Sequence, residues 1–226
     1  MAEIVLVHGA WADGSVWLDV IPVLQRQGHR VRAAHLPMTT LADDLAEVRR
    51  EIAGFDGPVV LAGHSYGGTV ISGAAKDNPQ VTALAYLAAY VPDEGETIPS
   101  LNAQFPDSPG TGAMVFHEDG WSSLDPNLFP EAFAADVPSE RADALAAVQR
   151  RAHSSCFATP SGPGAWHDLP TAYAVSTEDR ILHPDLQRWL AERAGAECVE
   201  LDASHYSLFS QPAAVAEVID KVSAHG

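Results

Sequence analysis

The sequence predicts an α/β protein: a six-stranded, mostly parallel sheet with helices on both faces and one inserted cap. Three observations predict it. Short apolar, partly β-branched runs alternate with helical stretches along most of the chain. One of these runs, Pro58-Val59-Val60-Leu61-Ala62, leads into Gly63-His64-Ser65-Tyr66-Gly67-Gly68, which sets a serine between glycines at a strand-to-helix turn. From Tyr90 to Leu169 the alternation stops, over a stretch far longer than the roughly 2–6 residues of an ordinary connection.

The first strand is Ile4-Val5-Leu6-Val7, running into His8-Gly9. Ser15 is the expected N-cap of a helix over residues 16–27 that stops at Gly28. His29-Arg30-Val31-Arg32-Ala33 is the second strand, and Thr40-Leu41 opens a helix ending near Gly54. After the serine turn, Thr69 to Lys76 reads as a buried helix closed by Asp77-Asn78-Pro79. Val81 to Leu87 is the fourth strand. Inside the interruption only the run from Ser139 to about Arg151 reads as a helix. The sheet resumes with Thr171-Ala172-Tyr173-Ala174-Val175, a helix over residues 184–194 and the strand Glu197-Cys198-Val199-Glu200-Leu201. Pro212 suits the first position of a last helix reaching Ser223. The expected domains are a core of residues 1–90 and 170–226 and a cap of residues 91–169 over the carboxyl edge of the sheet.

Composition narrows the partners. A chain of 226 residues, 46% hydrophobic and 19% charged, suits one packed domain. Thirty acidic residues against 13 basic ones give a net charge of −17, a surface that repels a phosphate backbone, so nucleic acid is not expected as a partner. No apolar run approaches the ~20 residues needed to span a bilayer, and the first residues carry neither a basic n-region nor a cleavage site. The expected compartment is the cytoplasm. Cys156 and Cys198 are the only cysteines and offer neither a disulfide framework nor a metal site; both are expected to be buried, inert thiols. No spacing suits zinc, calcium or a phosphate loop, so no metal and no cofactor is expected.

A serine hydroxyl is a weak nucleophile without an adjacent base. The turn lifts the Ser65 hydroxyl above the sheet, and a base should come from a loop after the last strand. Of ten histidines, His205 in Ser204-His205-Tyr206 meets that condition. Its imidazole needs a carboxylate to fix the tautomer. Asp179 follows the fifth core strand and gives the order Ser65, Asp179, His205. Glu178 and Asp185 are near neighbours, and Asp93, after the fourth strand, is a second location for the acid. An oxyanion would take the Tyr66 N–H of the turn and the Ala10 N–H of the loop His8-Gly9-Ala10-Trp11, with the His8 ring holding that loop. The cap supplies Phe105, Met114, Phe116, Trp121, Leu124, Phe129, Phe133 and Phe157 as an apolar lining; with Trp11, we single out Phe116 and Trp121 as substrate contacts.

His8-Gly9-Ala10-Trp11, the run Gly14-Ser15-Val16-Trp17 with Val20-Ile21-Pro22 and Leu24, Gly28-His29 with Val31, Leu36-Pro37 and Gly63-His64-Ser65-Tyr66-Gly67-Gly68 recur in order. In these the chain resembles the α/β-hydrolase superfamily, in its small branch of hydroxynitrile lyases and plant methyl-ester esterases (salicylate-binding esterase-like), the bacterial members most of all. The resemblance covers about two-thirds of the chain and is weak across the cap. It implies the α/β-hydrolase fold without the first two strands of larger members, Ser65, Asp179 and His205 as a triad, Ala10 and Tyr66 as oxyanion donors, and no cofactor. Lyases of this branch carry a threonine after the first-strand histidine and a lysine after the catalytic histidine; here those positions hold Gly9 and Tyr206. The expectation is therefore a carboxylesterase acting on small to medium apolar ester molecules. A hydroxynitrile lyase or related carbon–carbon lyase, and a non-catalytic small-molecule binder, are the alternatives, and lactones, thioesters and amides stay open. The exposed face of the insertion offers a surface for a homodimer.

Overall fold

The computed structural model describes residues 1–225. Its strands are β1 (Glu3–Val7), β2 (Arg30–Ala33), β3 (Val59–His64), β4 (Val81–Leu87), β5 (Met114–Phe116), β6 (Trp121–Leu124), β7 (Ala152–His153), β8 (Thr171–Ser176) and β9 (Glu197–Leu201). The helices are α1 (Ile21–Arg26), α2 (Leu41–Ala53), α3 (Gly67–Ala75), α4 (Ile98–Asn102), α5 (Phe129–Phe133), α6 (Ser139–Val148), α7 (Ser155–Ala158), α8 (Pro184–Arg193), α9 (Ser207–Ser210) and α10 (Pro212–Ser223). The main sheet has the order β2-β1-β3-β4-β8-β9, and every pairing in it is parallel. β3 is buried along its whole length, which is why its sequence shows no polar alternation.

Right-handed crossovers decide which face each helix covers. The step from β1 to β2 runs one way along the sheet, and those from β2 to β3, β3 to β4 and β8 to β9 run the other way. So α1 lies on one face and α2, α3 and α8 on the opposite one; α10 joins α1, which it packs against. Helix α2 starts where Thr40 accepts the Asp43 N–H and carries Asp43 and Asp44 in its first turn, where a helix favours negative charge.

Three expectations are corrected. The helix expected over residues 16–27 is split into a 3₁₀ turn, Gly14–Trp17, and α1; Asp13, not Ser15, caps the turn, accepting the Ser15 N–H at 2.8 Å. Pro22 is the reason, since it has no N–H to continue a helix from Leu18. Cys156 is buried but Cys198 is exposed, because β9 is an edge strand. Residues 91–169 hold more than the helix α6: β5, β6 and β7 make a three-stranded sheet, with α4, α5 and α7 around it. Strands of three, four and two residues are too short to show periodicity. No helix among the described residues is long and apolar enough to cross a membrane.

The serine turn is built on close backbone approach. A Cβ on Gly67 would lie 2.4 Å from the Val7 carbonyl oxygen, and one on Gly68 would lie 2.2 Å from that of Tyr90. Both obstacles are backbone and cannot swing aside. Gly68→Ala is therefore expected to destabilise the protein by about 3 kcal/mol or more, whereas Gly112→Ala, with nothing within 4 Å, is expected to be neutral. Denaturant unfolding of the two variants checks this.

Candidate active site

In the main sheet β1 lies beside β3, and the chain leaves β1 towards β2 but leaves β3 towards β4, in opposite directions. A crevice opens at such a switch point, outside the carboxyl ends of the strands. The loop after β1 brings Ala10 to it and the turn after β3 brings Ser65. Ser65 has a φ of 54°, the left-handed region that costs a non-glycine residue about 1–2 kcal/mol. Hydrogen bonds hold it there: its carbonyl accepts the Gly68 and Tyr90 N–H groups at 3.0 and 3.1 Å. Ala10, Ser65 and Tyr66 line one cavity. Neither the Ala10 nor the Tyr66 amide has an acceptor among the described residues.

His205 stands on the loop between β9 and α9. Its Nδ1 lies 2.7 Å from Asp179 Oδ2, and both residues are buried. The carboxylate is met by four donors. Oδ1 accepts the Ile181 and Leu182 amides at 2.8 and 2.9 Å, and Oδ2 accepts the Gln187 side-chain amide at 2.8 Å besides the imidazole. Acceptance by the carboxylate puts the proton of a neutral ring on Nδ1 and leaves Nε2 as a lone pair. That Nε2 is buried without a hydrogen-bond partner. His64, next to Ser65, ties the two loops together: its Nε2 donates to the His205 carbonyl at 2.8 Å and the ring centroids are 4.6 Å apart. His64 thus brings the His205 loop to the Ser65 turn, and no hydrogen bond joins the Ser65 hydroxyl to His205 Nε2, a contact that commonly tightens only when substrate is bound.

Two supports were not foreseen. Gln187, buried on α8, donates to Asp179 and to the Leu182 carbonyl and accepts the Ser176 N–H, so its amide cannot turn over. A glutamine on the inward face of α8, beside Leu186 and Leu190, was its only mark in the sequence. Asp136, in the inserted segment, accepts both the N–H and the hydroxyl of Ser204, and the Phe133 carbonyl accepts the Tyr206 N–H at 3.0 Å. The histidine loop is therefore anchored to residues 91–169. Asp93, the second location for the acid, lies at the surface, 3.1 Å from His167.

His8 holds the Ala10 loop: its Nδ1 donates to the Gly9 carbonyl and its Nε2 accepts the Leu36 N–H. Burial pushes its pKa down from 6.5 to about 4. Above pH 6.5 the folded and unfolded chains both hold His8 neutral and it contributes no pH dependence. As pH falls towards about 4 the unfolded chain takes up a proton that the folded one refuses, so stability is lost. At about 1.4 kcal/mol per pH unit the loss reaches about 3 kcal/mol. Denaturant unfolding from about pH 7 to about pH 4.5 should show a shallower decline for His8→Gln than for the unaltered chain.

The cavity measures about 240 Å³. Trp11, Ile98, Met114, Phe116, Phe157 and Ile181 give it apolar walls; Tyr90, Asn102 and Ser154 are its other polar side chains besides Ser65 and Tyr66. Trp11 is fixed by its indole N–H, which donates to Ser122 Oγ at 3.0 Å, and Phe116 stands exposed at the rim. Trp121 is not a wall of this cavity. Its ring packs edge-on against His153 and faces an outer groove with Asp119 and Arg151, because the pleat of β6 turns it away. Phe129 and Phe133 instead stack on each other beneath His205 and Tyr206, and Phe105 packs on Trp189.

A model of the alpha/beta hydrolase family matches residues 4–218. A carbendazim hydrolyzing esterase of Nocardioides sp. (strain SG-4G) is 37% identical over 127 residues, 46% of this chain and 52% of that protein, so the match spans about half of that relative. Salicylic acid-binding protein 2 of Nicotiana tabacum is 26% identical over 92% of this chain and 92% of its own length. Among solved structures, a pyrethroid hydrolase from Sphingobium faniae JZ-2 superposes with a TM-score of 0.85 at 26% identity, over 99% of this chain and 97% of that one. The match runs from β1 into α10 and the superposition takes in nearly the whole chain, so the protein belongs to the alpha/beta hydrolase family.

Proposed function

We propose that the protein is a serine carboxylesterase that cleaves small to medium apolar esters through an acyl-enzyme on Ser65. The observation that carries this is the buried Asp179–His205 pair, whose partnerless Nε2 lies beside the turn that presents Ser65. Ser65 attacks the acyl carbon while Nε2 takes its proton, and Asp179 stabilises the imidazolium. The Ala10 and Tyr66 amides receive the oxyanion. His205 then protonates the leaving alcohol, and water repeats the sequence on the acyl-enzyme. The names of the relatives, an esterase and a pyrethroid hydrolase, agree with hydrolysis of this kind.

The lyase alternative is weakened at two positions. A Cβ on Gly9 would lie 2.7 Å from Ser65 Cβ, so the threonine of the lyases does not fit this loop as it stands. No Lys or Arg lines the cavity among the described residues, which leaves no cation to hold departing cyanide.

An organophosphonate fluoride, followed by peptide mass mapping, is expected to label Ser65, with p-nitrophenyl acetate turnover lost in step. Cyanide release from mandelonitrile without ester turnover, or turnover that survives full labelling, overturns the proposal.

A further inference from the structure

One charged group with no part in the steps above is buried beside them. Asp44, in the first turn of α2, is fully buried, and its hydrogen-bond partners among the described residues are all uncharged. A carboxyl taken from water without a cation is costly unless hydrogen bonds meet its charge. Here Oδ1 accepts the Met38 N–H at 2.8 Å, and Oδ2 accepts the Tyr66 hydroxyl at 2.7 Å with the Cys156 thiol at 3.7 Å. Burial pushes the carboxyl above its ordinary range and keeps the phenol well above 10, so the phenol stays a donor.

Part of this is explained by the local backbone. Met38 has a φ of 60°, and one carboxylate oxygen on its amide is enough to hold that turn. The second oxygen has no such duty. Its short contact goes to the residue that follows Ser65, which lines the cavity and whose ring packs edge-to-face with that of Phe157, another lining residue, at 5.7 Å. Tyr66 is thus pinned at both ends, by the turn at its Cα and by Asp44 at its hydroxyl.

We propose that Asp44 is a positioning residue for acyl transfer, acting through the Tyr66 hydroxyl to hold the Tyr66 ring as a cavity wall and its backbone N–H on the oxyanion. This rests on the esterase reading above. An oxyanion donor works only within a few tenths of an ångström of its place, so releasing the far end of the ring disturbs the transition state more than the bound ester.

The test is steady-state turnover of p-nitrophenyl acetate by the unaltered protein, Ser65→Ala, Tyr66→Phe, Asp44→Asn, Asp44→Ala and Cys156→Ala, each with its Tm. Tyr66→Phe keeps the ring and the amide, and is expected to lower kcat about tenfold with KM within about threefold. Asp44→Asn should fall between it and the unaltered protein, because the amide can donate to the phenol oxygen instead. Asp44→Ala should lose at least as much as Tyr66→Phe, and if it does not fold Tyr66→Phe decides alone. Cys156→Ala should stay within about twofold, a thiol at that distance being a weak donor. A folded Tyr66→Phe protein with unaltered kcat, or one that loses only KM or only Tm, overturns the inference while leaving the esterase standing. An equal loss in Cys156→Ala also overturns it, by routing the effect through α7. Absence of Ser65-dependent turnover in the unaltered protein removes the esterase reading and this inference together.

Discussion

Ser65→Ala is expected to lower kcat for p-nitrophenyl acetate by about a hundred-thousandfold or more, with KM changed by less than about threefold. The substitution removes one oxygen and little else. Alanine keeps the Cβ that closes against Gly9 and can hold the left-handed backbone fixed by the Gly68 and Tyr90 amides. The apolar walls and the Ala10 and Tyr66 amides stay in place, so ground-state binding is untouched. Rate enhancement left over would come from those amides and from binding alone, roughly a thousandfold over water in comparable sites. A folded Ser65→Ala protein that retained more than about 1% of kcat would remove the hydroxyl from the mechanism.

The parts of this molecule that were legible in its sequence are those with a local cause. The serine turn was readable because close backbone approach excludes every side chain but hydrogen at Gly67 and Gly68, and because a strand buried on both faces must be apolar throughout. That the loops of His205 and Asp179 reach the same edge was readable because chain order in a parallel sheet fixes which loops lie at its carboxyl ends. Most of residues 91–169 was not. Its strands are too short for a period, and whether Trp121 or Phe157 faces the crevice depends on the register of β6 and the seat of α7. Gln187, Asp136 and Asp44 were invisible for a related reason. A polar side chain on a helix or loop announces a role only once its partner, far away in sequence, is placed against it. Between them these three hold Asp179, the His205 loop and the residue that follows Ser65.

Asp179 shows how strongly such partners constrain the proposed chemistry. Asp179→Asn is expected to lower kcat by about ten-thousandfold while leaving the fold intact. The substituted amide must place an NH₂ where one carboxylate oxygen was. Oδ1 faces the Ile181 and Leu182 amides, backbone donors that cannot become acceptors, so the new oxygen must stay there. The NH₂ is left on the Oδ2 side, against His205 Nδ1 and the Gln187 NH₂. Gln187 cannot turn over to receive it, since its own oxygen is held by the Ser176 N–H. Only the imidazole can adapt, by giving up its Nδ1 proton and carrying it on Nε2. That tautomer has no lone pair for the Ser65 proton, and the positive ring it would later form has lost its counter-charge. One measurement checks the account: kcat should fall in Asp179→Asn with KM little changed. A folded Asp179→Asn protein within about tenfold of the unaltered kcat would show that His205 does not need its Nδ1 proton held, and the proton relay would have to be drawn through another group.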